Sequence, residues 1–325
     1  MGKYTSKREV VYLDQKDWIF LAKGYYNNQL KANKEICNLV LEASEKKTVF
    51  PLSIIHLEET LSHLNPKKRE QLATFMIKVS RGYSILPANS IMKSEVRQAT
   101  LKKLGLPTID IRKIVIGRGI SHMLGAKGEL KRKEGAIGPE LSEETKRKIL
   151  DYVDSPQALS RLLTTQELAE QTQQIRQTHT STVEKMEEIR RRNIVIKDNN
   201  LRYRVCIARF LIDVIGPWFV DVVTEYNLPI KPIMEKWTQE EFTEFFQNMP
   251  TAYCLFTLTY RRDQYIQRPI AKNDINDIWA LTLAIPYCDI VVTESMWAAI
   301  ARQSKLDKIY NTVILSSAKD LKNHL

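Results

Sequence analysis

Acidic side chains occupy two chemically demanding positions in the stretch Asn273–Ser295. Asp274 and Asp277 open an apolar helical pattern, and Glu294 directly follows the apolar strand pattern Ile290–Thr293. A carboxylate at the edge of a buried sheet is costly unless a cation or a hydrogen-bond donor meets it. The stretch is therefore a candidate metal site, and it points towards phosphodiester chemistry.

Two further acids lie far upstream in comparable positions. Asp14 ends the short apolar stretch Glu9–Asp14, and Glu58 comes five residues after Ser53, in a helical pattern that follows a second predicted strand. In open α/β sheets, functional side chains gather beyond the carboxyl ends of the strands. We therefore expect the acids from both ends of the chain to meet at one rim of a sheet.

Most of these acids also have a purely structural explanation. Asp274 and Asp277 could cap a helix, because its amino-terminal end favours negative charge. Glu58 or Glu59 could belong to a solvated helix face. Asp14 has no obvious structural role at the end of a buried strand. The combined order of the acids favours a metal site over separate structural roles. Asp274 is the acid of this group that we interpret as a structural residue.

The elements that must position the acids are short strands near both ends of the chain. The predicted strands are residues 9–14, 48–53, 83–87, 290–293 and 312–315. Pro51 cannot donate to a ladder, so pairing of the second strand should stop there. Asp289 is interpreted as a turn residue that opens the fourth strand. Because helical patterns separate the strands, the fold class is α/β with a parallel sheet.

The middle of the chain has a different pattern. Strand signals nearly vanish between about residues 90 and 268, and glycines concentrate in 105–140, which we expect to be rich in loops. Residues 164–193 are sparsely apolar and predict a long exposed helix, which could be an arm or an oligomer contact. We therefore predict one domain formed by residues 1–90 and 270–325, interrupted by a large helical insertion, residues 91–269.

The composition is typical of a soluble globular protein, and its basic excess fits a polyanionic partner. The 325 residues carry a formal net charge of +11, which fits nucleic acid but does not identify it. No apolar run approaches the roughly 20 residues of a membrane helix, and the first residues lack the apolar region of a signal peptide. We expect a cytoplasmic protein with no membrane contact. The four cysteines are widely spaced and are expected to be reduced core residues.

Other catalytic classes find no support in the sequence. There is no phosphate-binding loop of the Walker type, and no serine nucleophile motif. The histidines and cysteines show no metal-ligand spacing. His56 lies two residues before Glu58 and could approach the acids.

Two basic clusters could contact a polyanion. The denser one combines Arg190–Arg192 with Lys197, Arg202 and Arg204. The other consists of Arg261, Arg262 and Arg268, with Tyr260 and Tyr265 interleaved. Aromatic rings can stack on unpaired bases while arginines hold the phosphates, although a basic run is more often a solvated helix face. The second cluster is favoured as a substrate-binding surface because it precedes the acidic stretch.

The order of these motifs resembles the PIN-domain (PIN-like) nucleases. The matching positions are Asp14 after the first strand, Ser53 with Glu58, Asp277 opening an alanine-containing helix, and Thr293-Glu294 after the fourth strand. The resemblance covers roughly residues 1–90 and 270–325. The fourth acid is usually aspartate in that family, so Glu294 is a departure, and the insertion has no counterpart in compact members.

The resemblance implies a PIN-like three-layer fold with a central parallel sheet and a metal-dependent ribonuclease activity. Asp14, Asp277, Glu58 and Glu294 would be the catalytic residues and would bind Mg²⁺ or Mn²⁺, with Ser53 and Thr293 positioning substrate. The expected substrate is RNA, in single-stranded regions or tRNA.

The same resemblance leaves other settings open. DNA could be the substrate instead of RNA. A toxin or defence role with an inhibitory protein partner and a homo-oligomer are also consistent with it. The main alternative is a PIN-like module that binds nucleic acid or protein without cleaving.

Overall fold

The computed structural model describes residues 8–27, 29–126, 141–228 and 238–325. The strands are β1 (Val11–Leu13), β2 (Tyr83–Ile85), β3 (Ile116–Arg118), β4 (Ile290–Val292) and β5 (Val313–Leu315). The first helices are α1 (Gln15–Tyr26), α2 (Lys31–Lys46), α3 (Ile54–Leu61), α4 (Pro66–Ser80), α5 (Ala88–Lys103), α6 (Arg112–Val115), α7 (Gly119–Met123), α8 (Glu143–Val153) and α9 (Pro156–Thr164). They are followed by α10 (Gln166–Ile194), α11 (Asn199–Phe210), a π-helical turn (Leu211–Ile215), α12 (Gly216–Glu225), α13 (Gln239–Gln247), α14 (Pro250–Asp263), α15 (Lys272–Tyr287), α16 (Ser295–Gln303), α17 (Leu306–Tyr310) and a 3₁₀ helix (Ala318–Asn323).

The two ends of the chain meet in one small parallel sheet. Its strand order is β1-β4-β5, so β4 lies in the centre. Leu13 pairs with Val292, and Val292 pairs with Leu315. The α/β class and the parallel sheet predicted from the sequence are confirmed, in a chain that is mostly helical.

The predicted second strand, residues 48–53, has an extended path but forms no ladder. It makes one parallel bridge through Val49 to Val10 and another through Leu52 to Ser84. Pro51 lies between the two bridges and has no N–H to donate, which explains why the pairing is interrupted. The segment joins β1 to β2 through single contacts, and β2 continues into an antiparallel pair with β3.

The glycine-rich region is more ordered than its composition predicts. Residues 112–123 form α6, β3 and α7, whereas the prediction was a loop-rich segment. The part of that prediction covering residues 127–140 lies outside the described residues. Gly119 adopts a positive φ of 87° at the start of α7, a conformation that other residues adopt at a cost.

Helices cover both faces of the sheet and give the molecule three layers. The middle residue of each parallel strand, as in Tyr12 and Val291, packs in a core with α5, α14, α15 and α16. The flanking residues, such as Leu13 and Val292, pack in a second core with α1, α2, α4 and α9. This alternation follows from the two-residue period of a strand.

The central segment 91–269 shares the first of these cores with the ends of the chain. Val96 of α5 and Phe256 of α14 belong to the same cluster as Tyr12. A buried carboxylate, Glu95, also accepts hydrogen bonds from the backbone N–H and hydroxyl of Thr251 and from the Tyr287 hydroxyl. These bonds join α5 to α14 and α15, so this part of the predicted insertion packs in the layer on that face of the sheet, whereas α9 packs in the second core.

Three further expectations concern the long helix, membrane-spanning helices and the cysteines. The long helix predicted at residues 164–193 is observed as α10. In the part of the chain that the structure describes, no helix combines the length and the apolar character needed to span a membrane. The four cysteines are free thiols, and Cys37, Cys254 and Cys288 are buried.

Candidate functional site

Asp14 and Glu294 follow adjacent parallel strands at the same edge of the sheet. The backbone N–H of Asp14 donates to the Val292 carbonyl at 3.0 Å, which continues the β1–β4 pairing up to the acidic residues. Asp14 caps α1, where its Oδ1 accepts from the Lys16 N–H at 3.1 Å, and Glu294 is the N-cap residue of α16. Two helix amino termini therefore begin at this edge, and their dipoles favour negative charge there.

Asp277 reaches the same region from α15. Its Oδ2 accepts a hydrogen bond of 2.9 Å from the indole Nε1 of Trp297, a fully buried residue of α16. Burial is the largest cause that raises the pKa of Asp277, to about 8, and the negative charges of Asp14, Glu294 and Glu59 raise it further. The sequence-predicted acids Asp14, Asp277 and Glu294 thus act on one another electrostatically.

Asp14 experiences the same environment in a weaker form. Burial raises its pKa, and the charge of Glu294 adds to the effect. The Lys16 N–H and ammonium and the hydroxyl of Thr293 act in the opposite direction. The site therefore holds more negative charge than its immediate donors compensate, which is the situation that a bound cation would relieve.

The acid that α3 contributes near Asp277 is Glu59. The side-chain amide of Asn276 donates to Glu59 Oε1 at 3.2 Å, and the charge of Glu59 contributes, after burial, Asp14 and Glu294, to the raised pKa of Asp277. Successive residues on a helix point about 100° apart, so a one-residue difference changes the face. The role of Glu58 stays a prediction, and Glu59 becomes a candidate beside it.

Lys16 is a site residue that the sequence reasoning missed. Its ammonium donates to the Thr293 carbonyl at 3.1 Å, which bridges the first turn of α1 to the end of β4. Lys16 also lowers the pKa of its neighbour Asp17, which burial raises to about 6. A lysine following a strand-ending aspartate looks like ordinary helix surface in the sequence, so only the fold reveals its position.

The donor set suits Mg²⁺ or Mn²⁺, because these ions prefer carboxylate oxygens and retain several waters. The carboxylates are not drawn together into a ready ligand set. Among the described residues, no group of three or more histidine, cysteine or acidic side chains has a metal-binding arrangement. An ion would therefore have to bring the acidic side chains closer together.

Ser53 and His56 are buried and support the end of β1. Ser53 is completely buried, and its N–H donates to His56 Nδ1 at 3.0 Å. The other ring nitrogen of His56 is 2.8 Å from the Leu13 carbonyl. Burial lowers the pKa of His56 to about 4, so the ring is neutral and donates to that carbonyl. The structure gives Ser53 a supporting role at the end of β1, and its predicted role in positioning substrate stays a prediction.

The second predicted basic cluster divides into residues with different surroundings. Arg262 is only 1% exposed and pairs with Asp274 through bonds of 3.0 and 3.2 Å, so its surroundings are those of a structural residue. Arg268 also binds Asp274, but 43% of its side chain is accessible. Arg261 is exposed and could still meet a phosphate.

Asp274 and Asp289 have the structural surroundings expected of them. Asp274 is 1% exposed and also accepts from the Ala271 N–H, which begins α15. Asp289 accepts from the Val10 N–H at 2.9 Å, at the start of β4 and away from the carboxyl edge. Thr293 is 2% exposed and hydrogen-bonds to Asp14, which fits a positioning role better than contact with substrate.

Replacing Trp297 with phenylalanine should weaken the site while keeping the core packed. Loss of the indole donor would raise the pKa of Asp277 further and would loosen its orientation. Removing such a supporting partner typically costs about 10- to 100-fold in metal affinity or activity. The Mn²⁺ concentration for half-maximal cleavage measures the effect.

Trp18→Phe is the matched control for this substitution. Trp18 is equally buried, and its Nε1 has no hydrogen-bond partner in the described part of the chain. Equal losses in the two variants would mean that core packing, rather than the bond to Asp277, determines the result.

Comparison with known proteins leaves the geometry as the basis for assigning a function. No family model matches the chain, and no curated protein or solved structure was found to match it.

Proposed function

We propose that the protein is a metal-dependent ribonuclease that hydrolyses phosphodiester bonds at the carboxyl edge of its parallel sheet. The observation that carries the proposal is the convergence of Asp14, Asp277 and Glu294. Their residues are up to 280 positions apart in sequence. Yet the charges of Asp14 and Glu294 both raise the pKa of Asp277, and the charge of Glu294 raises the pKa of Asp14, at the ends of β1 and β4. Mutual repulsion among partly buried carboxylates is tolerated where function requires it.

Each residue of the edge has a part in the proposed reaction. Asp14 and Asp277 would bind the ion directly, and Glu294 with Glu58 or Glu59 would complete the site. A bound divalent ion supplies Lewis acidity, which activates water and neutralises charge on the leaving oxygen. The Lys16 ammonium and the amino termini of α1 and α16 would attract the phosphate of the substrate. Trp297 and Thr293 would hold the two aspartates in position.

The finer parts of the proposal rest on the resemblance to PIN-like nucleases. They include the PIN-like fold itself and a toxin or defence role with an inhibitory protein partner. The proposed cytoplasmic location rests instead on the composition of the sequence. The basic net charge of +11 supports a nucleic-acid substrate but does not distinguish RNA from DNA.

One observation favours a second function, a module that binds nucleic acid without cleaving it. The described acidic residues do not form a ready group of three metal ligands. If the acids cannot close around an ion, the same edge would only bind its partner.

Cleavage assays with metal and with chelator test the proposal. The full chain is incubated with single-stranded RNA, transfer RNA and single-stranded DNA, in Mn²⁺, in Mg²⁺ and in EDTA. We expect cleavage of RNA in Mn²⁺, its loss in EDTA and its return with excess metal. Preferential cleavage of DNA would redirect the proposal to a DNA-directed nuclease. Tight binding without cleavage of any substrate would leave only the binding module.

A further inference from the structure

A second concave site lies among α10, α11 and α14, and it brings the two basic clusters of the sequence together. The cavity has a volume of about 440 Å³. Arg190 of α10, Arg202 of α11 and Arg261 of α14 line it, and Asp14, Asp277 and Glu294 do not. Cavities of a few hundred Å³ are typical of small-molecule sites.

Tyrosines form one wall of this cavity. The rings of Tyr203 and Tyr260 are 5.2 Å apart and nearly perpendicular, and Tyr253 lines the same space. Burial raises the pKa of Tyr203, and Tyr253 and Tyr260 raise it further, which indicates that the three hydroxyl ends are close. Tyr203 is still 39% exposed, so a flat ligand can reach an aromatic surface.

The lining is also cationic and has unused hydrogen-bonding capacity. Arg190 is 7% exposed, and its terminal nitrogens contact the Arg268 carbonyl and Glu187. Its remaining donor, Nε, has no hydrogen-bond partner in the described part of the chain. A buried donor without a partner is destabilising, so Arg190 retains capacity to bind an anion. Asp263 is the acidic residue that lines the cavity beside the three arginines.

We propose that this cavity binds one nucleotide unit, with the phosphate on the arginines and the base against the tyrosines. A phosphate alone would not use the aromatic wall, and an uncharged aromatic molecule would not use the arginines. The nucleotide could be free or could be an unpaired residue of a strand, since both present the same groups. The inference goes beyond the proposed nuclease function, because the cavity would bind a nucleotide whether or not the acidic edge cleaves one.

Binding measurements in EDTA test the inference separately from catalysis. A fluorescein-labelled single-stranded RNA oligomer is titrated with the full chain and followed by anisotropy, and AMP, adenosine and inorganic phosphate are added as competitors. A strand residue as ligand predicts tight oligomer binding that AMP displaces only at high concentration. A free nucleotide predicts that AMP binds more tightly than the oligomer. Competition by inorganic phosphate as strong as that by AMP would overturn the role of the base.

Variants on one helix separate the cavity from general charge. Arg202→Gln and Tyr203→Leu should each weaken binding by roughly 5- to 100-fold, the range for loss of a stacked base or a charged hydrogen bond. Arg204→Gln removes the same charge two residues along α11, outside the residues that line the cavity, and should change affinity by less than about 2-fold.

The binding measurements can be interpreted even if the acidic edge proves inactive. Binding is measured in EDTA, so it does not depend on cleavage at the acidic edge. Equal losses for Arg202→Gln and Arg204→Gln, or full affinity in Tyr203→Leu with its fold intact by circular dichroism, would overturn the proposal.

Discussion

Replacing Asp277 with asparagine should abolish most cleavage and at the same time stabilise the metal-free protein. The activity should fall by roughly 10²- to 10⁴-fold, the range for loss of a positioned catalytic group. The stability gain arises because the folded protein keeps the Asp277 carboxyl in a place where its charge is unfavourable. Asparagine has a similar shape and carries no charge.

The pH dependence of this gain has a definite sign. The pKa of Asp277 rises from 3.8 in an exposed reference to about 8 in the folded protein. The folded state therefore binds the proton more tightly than the unfolded state, and stability is lost as the pH rises through that interval. The difference in free energy of unfolding between Asp277→Asn and the unmodified chain should be small near pH 4 and should grow up to about pH 8.

Thermal unfolding in EDTA at several pH values measures this difference, and added Mn²⁺ should reverse the order of the two proteins. Asp289→Asn provides the matched control, because it removes a carboxylate at the other end of β4. It should retain cleavage. An Asp277→Asn protein that is less stable than the unmodified chain at pH 8 would show that Asp277 is structural.

Replacing Asp274 with alanine, one helical turn earlier, should destabilise the protein instead of stabilising it. The change leaves Arg262 charged and buried without its main partner, and breaking a buried ion pair in this way typically costs about 3–5 kcal/mol. We expect a large loss in the free energy of unfolding, measured by urea denaturation, with residual cleavage in whatever fraction remains folded.

The double variant Asp274→Ala with Arg262→Met identifies the cause. Removing both charges should recover part of the lost stability, because no unpaired charge remains. If the double variant is as unstable as the sum of the two single ones, the cost comes from packing and not from the uncompensated buried charge of Arg262.

The sequence predicts the site best where local pattern and topology coincide. Asp14 and Glu294 end apolar strands, and adjacent parallel strands necessarily bring their carboxyl ends together. The choice between Glu58 and Glu59 depends on how α3 is rotated about its axis, because adjacent residues lie on different faces of a helix. The burial of Arg262 could not be predicted from the sequence either, because its pairing with Asp274 forms only when α14 and α15 pack side by side.

The fold shows a similar division. Repeated strand and helix patterns predict the parallel sheet and the long helix α10, since both depend on local periodicity. Helix α1 was not predicted from the sequence. Its position depends on a close approach to α2 rather than on helix propensity, because a Cβ on Gly24 would lie 2.5 Å from the Asn33 carbonyl of α2. Strand β3 was missed because a three-residue strand beside glycines has no periodic signal and is stabilised by pairing with β2.

The pairing of β1 with β4 joins positions 279 residues apart, as in Val10 and Asp289. During translation, β1 leaves the ribosome long before its neighbour exists. At about 5–20 residues per second, the wait lasts tens of seconds. Until then Asp14 has no partner strand, and a growing or prematurely terminated chain cannot assemble the acidic edge. A ribosome that makes this protein would thus be shielded from any cleavage activity until β4 has emerged.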